Sequence, residues 1–190
     1  MIRFVRRHAT TIVLTLAALA ALVVVLLVDR GSVSTNEAFM RKKNLFDAWR
    51  ADDVTAVTLR ARGHVARLAR GAVNVAGQRP WDVEIDGARH PAEEQVVDQL
   101  LGALEFAQAV RRVAPGAVDR AEMGLDAPVE TVDVEMPPLG YELSLGGPAA
   151  SPLGGRYAEV KGKGVFVVPG ALASALDVPP DQLRSRQFVP

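Results

Sequence analysis

The chain has 190 residues, 22 basic against 22 acidic side chains, 49% apolar residues and no cysteine. That length holds about one domain plus a targeting or anchoring segment, and the even charge balance excludes a nucleic-acid binder recognisable by bulk charge. Without cysteine, a disulfide framework, a thiolate metal site, a cysteine nucleophile and a lipidated N-terminal cysteine are all excluded.

The charges are unevenly placed. Arg3, Arg6, Arg7 and Arg30 face a single acid, Asp29, in the first 30 residues, so the remainder is net acidic. Ala9 to Val28 is uncharged and consists of Leu, Val, Ile, Ala and Thr. As a helix with a rise of about 1.5 Å per residue, it matches the hydrocarbon thickness of a bilayer. A single membrane span over 9–28 is therefore expected, with residues 1–8 in the cytoplasm by the positive-inside rule and the rest beyond the bacterial inner membrane, in the periplasm or its equivalent. Ala18-Leu19-Ala20 has the small-x-small pattern of a signal-peptide cleavage site. Leu22 to Val28 continue the apolar run past it, which favours a retained anchor. Residues 29–44 are mostly polar and read as a stalk.

From residue 45 onward the chain reads as an extracytoplasmic domain. Val54 to Arg62 alternate, with Val57, Leu59 and Ala61 on one side, and Val65 to Ala69 return after a turn at Gly63-His64. Val73 to Ala76 is a candidate extension. Trp81, Val83 and Ile85 define a third strand, closed by Asp86-Gly87. A helix is then expected to start at Pro91, with Glu93 and Glu94 at its positive end and Val97, Leu100, Leu101 and Leu104 on one face. Pro115-Gly116 breaks the chain before a short turn that Gly124 ends as a left-handed cap. Four short alternating runs follow, Val129–Met136, Tyr141–Leu145, Arg156–Val160 and Val165–Val168, and predict an antiparallel meander. Ala171 to Leu176 and the turn after Pro179-Pro180 close the chain. The expected fold class is α+β: an N-terminal transmembrane helix followed by a mostly antiparallel β domain with a few packed helices. Arg41–Phe46 resembles Arg184–Val189, an echo that fits the start of a second unit.

The inventory of reactive groups is thin. His8, His64 and His90 lack partners at metal-ligand spacing, so no metal site is expected. Asp52-Asp53 and Glu93-Glu94 are adjacent pairs whose side chains diverge, as suits a strand-entry cap and a helix-dipole complement. Gly162-Lys163-Gly164 joins two strands and lacks phosphate-loop spacing. No catalytic residue and no cofactor is expected, and the chain reads as a non-enzyme. Arg60, Arg62, Arg67 and Arg70 form the candidate interaction patch, for a polyanion or lipid headgroup against the plainer reading of a solvated face. Trp81 reads as core rather than as a sugar-stacking platform.

The order of an N-terminal anchor, a Trp-x-Val strand before an amphipathic helix, and Met123-Gly124-Leu125-Asp126-Ala127-Pro128 before short strands resembles a bacterial family of membrane-anchored domains of unknown function. Its hallmark is a Gly-Leu-Asp-x-Pro segment. Members often sit beside gliding-motility-type ABC transporter components, so the resemblance implies an auxiliary envelope protein with transporter subunits as partners and with no known catalytic residue. Residue by residue, Gly124 suits positive φ, Asp126 a turn cap and Pro128 a fixed strand entry. The expected function is a membrane-tethered adaptor, held in the lipid bilayer through 9–28, and the alternative is a cell-wall glycan or polyanion module using the arginines and the Gly146–Gly155 loop.

Overall fold

The computed structural model describes residue 18 and residues 44–61, 63–75 and 77–186. The chain divides into two units, Met1–Met40 and Arg41–Pro190, and the elements below belong to the second. They are β1 (Ala56–Ala61), β2 (His64–Arg70), β3 (Trp81–Ile85), β4 (Ala88–Pro91), α1 (Glu94–Glu105), β5 (Arg111–Arg112), β6 (Glu130–Met136), β7 (Leu139–Pro148), β8 (Gly155–Val160), β9 (Gly164–Pro169) and α2 (Gly170–Leu176). The strands make one nine-stranded sheet in the order β4-β3-β2-β1-β6-β7-β8-β9-β5. Every neighbouring pair runs antiparallel.

Local chemistry explains most of these elements. Asp86 and Gly87 both take positive φ, at 51° and 80°, which gives the β3–β4 hairpin a two-residue turn of matching twist. On α1 the buried residues are Val97, Leu100, Leu101 and Leu104, spaced to form one stripe. Each such leucine contributes about 2 kcal/mol by leaving water. With Leu172 and Leu176 of α2 they cover one sheet face, made by Val57, Leu68, Val83, Val134 and Leu143. The opposite face is covered at its β8–β9 end by Val113, Met123 and Leu125, which lie against Val165 and Val167.

Three expectations give way to the structure. The fold class with an N-terminal transmembrane helix gives way to what the described residues form, a nine-stranded antiparallel sheet with α1 and α2 packed on it, and among them no helix is long and apolar enough to cross a membrane. The physical reason is size and pattern: α1 has 12 residues and α2 has 7, short of the roughly 20 that a bilayer requires, and α1 is apolar on one stripe only. The 9–28 segment itself lies outside the described residues apart from Ala18. The second correction concerns Pro91, which ends β4 opposite Asp82 instead of opening the helix. Glu93 caps α1, with Val97 donating to its carbonyl at 3.1 Å. The described part of the Val73–Ala76 candidate, residues 73–75, adds no strand; the Asn74 carbonyl instead accepts from the Gly77 N–H and its side-chain oxygen from the Gln78 N–H, each at 2.9 Å, in a polar turn.

The lead-in from Asn44 to Trp49 is part of the core. Leu45, Phe46 and Trp49 are fully buried, and the rings of Phe46 and Tyr141 stand 4.8 Å apart. Tyr141 on β7 donates its hydroxyl to the Ala48 carbonyl at 3.1 Å and accepts from the Ala48 N–H at 3.3 Å. Burial raises its pKa above the ordinary 10.0, with the charge of Asp47 adding to the rise and the Ala48 bond opposing it. The folded chain thus holds this proton longer than the unfolded chain does. Tyr141 therefore stabilises the fold fully below its unfolded pKa, and that contribution is lost as pH rises through the folded value. Stability above about pH 10 is expected to fall less steeply in Tyr141→Phe than in the parent, as read by thermal midpoints across an alkaline pH series.

Candidate functional site

The Gly124–Pro128 segment is a joint between the turn at 119–124 and β6. Asp119 accepts from the N–H of Glu122 at 3.0 Å, and the N–H of Leu125 reaches the Arg120 carbonyl at 2.8 Å. Gly124 sits at φ +68°, and a Cβ there would lie 2.9 Å from the nitrogen of Gly147. Leu125 is buried, Asp126 is exposed, and Pro128 is half-buried two residues before β6.

Opposite the joint, β7 carries Gly146-Gly147 beside an irregularity in its register with β8. The Gly147 N–H bonds the Met123 carbonyl at 2.8 Å, and Arg156 donates twice to the Gly146 carbonyl, at 2.7 and 3.1 Å. Arg120 completes the cluster. It holds both carboxylate oxygens of Glu159 at 2.7 Å, Asp126 at 3.1 Å and the Leu125 carbonyl at 3.1 Å. Its pKa is raised first by the hydrogen bond to Glu159 and then by that to Asp126. The motif thus works as a clasp between the covering segment and the sheet. Arg120 carries no pattern of its own in the sequence, and Gly146, expected only as the start of a binding loop, is here the point where the Met123 carbonyl approaches β7.

The arginines meet other fates. The β1–β2 register sets Arg67 opposite Thr58, which shares a face with Arg60, and the β2–β3 register sets Arg70 opposite Trp81 on the other face. Arg60 pairs with Asp133, and Arg67 pairs with Glu135 at 3.0 Å. Arg70 lies 4.4 Å above the ring of the buried Trp81. Arg62 lies outside the described residues. On the same face Lys161 pairs with Glu142 at 2.5 Å, which raises the lysine pKa through that bond.

The outer face is therefore a lattice of opposite charges carried on neighbouring strands. Exposed pairs of this kind are worth about 0.2–1 kcal/mol each. The double variant Arg60→Glu, Arg67→Glu is expected to lose about 1–2 kcal/mol at low salt, and the loss should shrink at high salt as screening weakens the new repulsions. Urea titrations at two ionic strengths check this.

Two concavities flank the β1–β2 hairpin. On the core side an apolar cleft of about 200 Å³ lies between Leu59, His64 and Ala66 and the chain after α2 at Leu176, Val178 and Pro179. On the outer face a shallow depression is lined by Thr58, Arg60, Val65, Arg67, Glu84 and Asp86. His64 is exposed and His90 is half-buried on β4. Among the described residues no group of His, Asp and Glu is arranged to hold a metal ion.

The architecture is that of an antiparallel-sheet domain covered by two helices on one face and clasped on the other by the Gly-Leu-Asp-Ala-Pro joint. Residues 81–190 match the family described as Domain of unknown function (DUF4340), and the chain belongs to that family. Neither a curated protein nor a solved structure matches it. The match begins at β3, whereas the folded unit already includes β1 and β2.

Proposed function

We propose that this protein is a non-enzymatic, membrane-tethered adaptor, with the apolar 9–28 segment as its tether, residues 1–8 on the cytoplasmic side and the sheet domain in the extracytoplasmic space. The observation that carries this reading is the outer face of β2, β1, β6 and β7, where Arg60–Asp133, Arg67–Glu135 and Lys161–Glu142 alternate in sign across a solvent-facing surface. A face with its charges matched internally offers little attraction to a polyanion, but it suits docking of another folded protein with a complementary polar pattern. This weighs against the glycan or polyanion alternative, which needs unpaired arginines. The sequence resemblance adds a partner class: membrane subunits of an ABC-type transporter or a gliding-related envelope complex.

The test is purification of the tagged full-length chain from its own membranes in mild detergent, with residues 1–44 alone as the control. Transporter or other envelope subunits that follow the full chain but not the control support the adaptor. A chain that brings wall fragments and no protein overturns it in favour of the binding module.

A further inference from the structure

An exposed apolar surface lies at the other end of the sheet, after α1. Phe106 and Val110 are 72% and 51% exposed. They alternate with Ala107 and Ala109, which pack against the core, and Gln108 between them is exposed as well. Arg111 and Arg112, both exposed, follow immediately as the short edge strand β5 and flank that edge from its two faces, Arg111 opposite Val167 and Arg112 opposite Phe166. The Arg111 side chain has no hydrogen-bond or ion-pair partner among the described residues. Arg112 donates to the Lys163 carbonyl at 2.5 Å and lies over the Phe166 ring, with no carboxylate against it among the described residues.

This segment is laced to the point where the chain enters the domain. Asn44 bridges Gln108, the Leu45 N–H bonds the Ala107 carbonyl at 2.8 Å, and the Asn44 amide bonds the Glu105 carbonyl at 3.2 Å. In sequence Arg41, Lys42 and Lys43 come directly before Asn44. Of the acids on the neighbouring elements, Asp47 pairs with Lys163 and Glu142 with Lys161.

We infer that the 106–112 segment is a membrane-surface contact, in which Phe106 and Val110 enter the headgroup region of an anionic phospholipid bilayer while Arg111 and Arg112 pair with lipid phosphates. An exposed aromatic and a valine beside two arginines form the pattern of interfacial insertion, where burial of apolar area and attraction to anionic lipid add together. Guanidinium groups suit the phosphates because they donate in pairs to adjacent oxygens. The inference rests on the proposed tethering, which holds the domain at a bilayer.

Because the chain has no cysteine, Gln108→Cys places a single environment-sensitive fluorophore between Phe106 and Val110 without removing either. The labelled full chain is reconstituted into vesicles of phosphatidylcholine with phosphatidylglycerol, and of phosphatidylcholine alone, and followed by flotation and by quenching from acyl-chain spin labels. A second label at Leu153→Cys, exposed in the loop at the far ends of β7 and β8 from Lys161, serves as the control. The expected result is a blue-shifted, lipid-quenched label at 108 in anionic vesicles, a weaker effect in neutral ones, and a water-exposed label at 153. Arg111→Glu, which breaks no side-chain hydrogen bond or ion pair among the described residues, should lower the docked-to-undocked ratio about tenfold. If the chain floats while the 108 label reads water in both vesicles, this inference fails and the tethering stands. If the chain does not float, both fail. Equal protection in neutral vesicles, or protection that appears only when native membrane proteins are added, also overturns it.

Discussion

Replacing Gly146 by alanine should lower the thermal midpoint by about 6–12 °C, the shift that a loss near 3 kcal/mol produces in a domain of this size. A Cβ at 146 would stand 2.2 Å from the Met123 carbonyl oxygen and 3.1 Å from a methyl of Leu125. The first is backbone within the clasp and has no rotamer to relieve the clash, so the 119–125 turn must move off the sheet. That movement strains the 2.8 Å bond from Gly147 to Met123 and the pair of bonds from Arg156 to the Gly146 carbonyl. Overpacking of about 1–3 kcal/mol and a weakened hydrogen bond of about 1 kcal/mol together reach the expected loss. Gly102→Ala is the matched control. It lies inside α1, a Cβ there meets nothing within 4 Å, and the gain in helix propensity should stabilise by about 0.5–1 kcal/mol. Scanning calorimetry of the two variants should therefore give shifts of opposite sign, and equal shifts would count against the clasp.

Expression of residues 81–190, the segment matched by the family, should yield a chain without a cooperative unfolding transition, whereas residues 44–190 should fold. In the sheet β3 is separated from β6 by β2 and β1. Removal of residues before 81 thus takes out two central strands and splits the remainder into a β3–β4 hairpin and a β6–β9 meander. It also removes Leu45, Phe46, Trp49, Val57 and Leu68 from the principal core, all of them at most 1% exposed. Losses of about 2–5 kcal/mol for each large core side chain exceed the stability of an ordinary domain within a few residues. A sharp calorimetric transition in the 81–190 chain would show that the family segment is an autonomous unit and that β1 and β2 are an addition to it.

What sequence reading reveals of this fold follows the range of the forces. The Trp81–Ile85 strand, the Asp86-Gly87 turn and the four-residue stripe of α1 are set within a few positions of the chain, and each stands where its pattern places it. β4 and β5 escape notice because Ala88–Pro91 and Arg111–Arg112 carry no alternation; their partners, not their side chains, make them strands. The placement of β1 beside β6 depends on a pairing of Ala56 with Glu135 that no local window contains. The same distance hides the chemistry of the arginine cluster. Arg60 looks unpaired in sequence because Asp133, its partner, lies 73 positions away. Gly124 is legible because a left-handed cap has a local signature, but Gly146, which must be small to receive the Met123 carbonyl beside it, is specified only by the approach of a distant backbone.

The place of β1 in the sheet also bears on the order in which the chain acquires its shape. During synthesis β1 and β2 emerge first and can close their hairpin at once, yet the far edge of β1 stays open until β6, some 70 residues later, is available to cover it. Such a distant closure is slow compared with hairpin formation. In the interval the nascent chain presents an unpaired strand edge with Val57 and Leu59 bare beside it, a template for pairing with a neighbouring copy. A chain moving vectorially across a membrane would meet that interval outside the cytoplasm, where protection of the open edge becomes a task for whatever factors receive it.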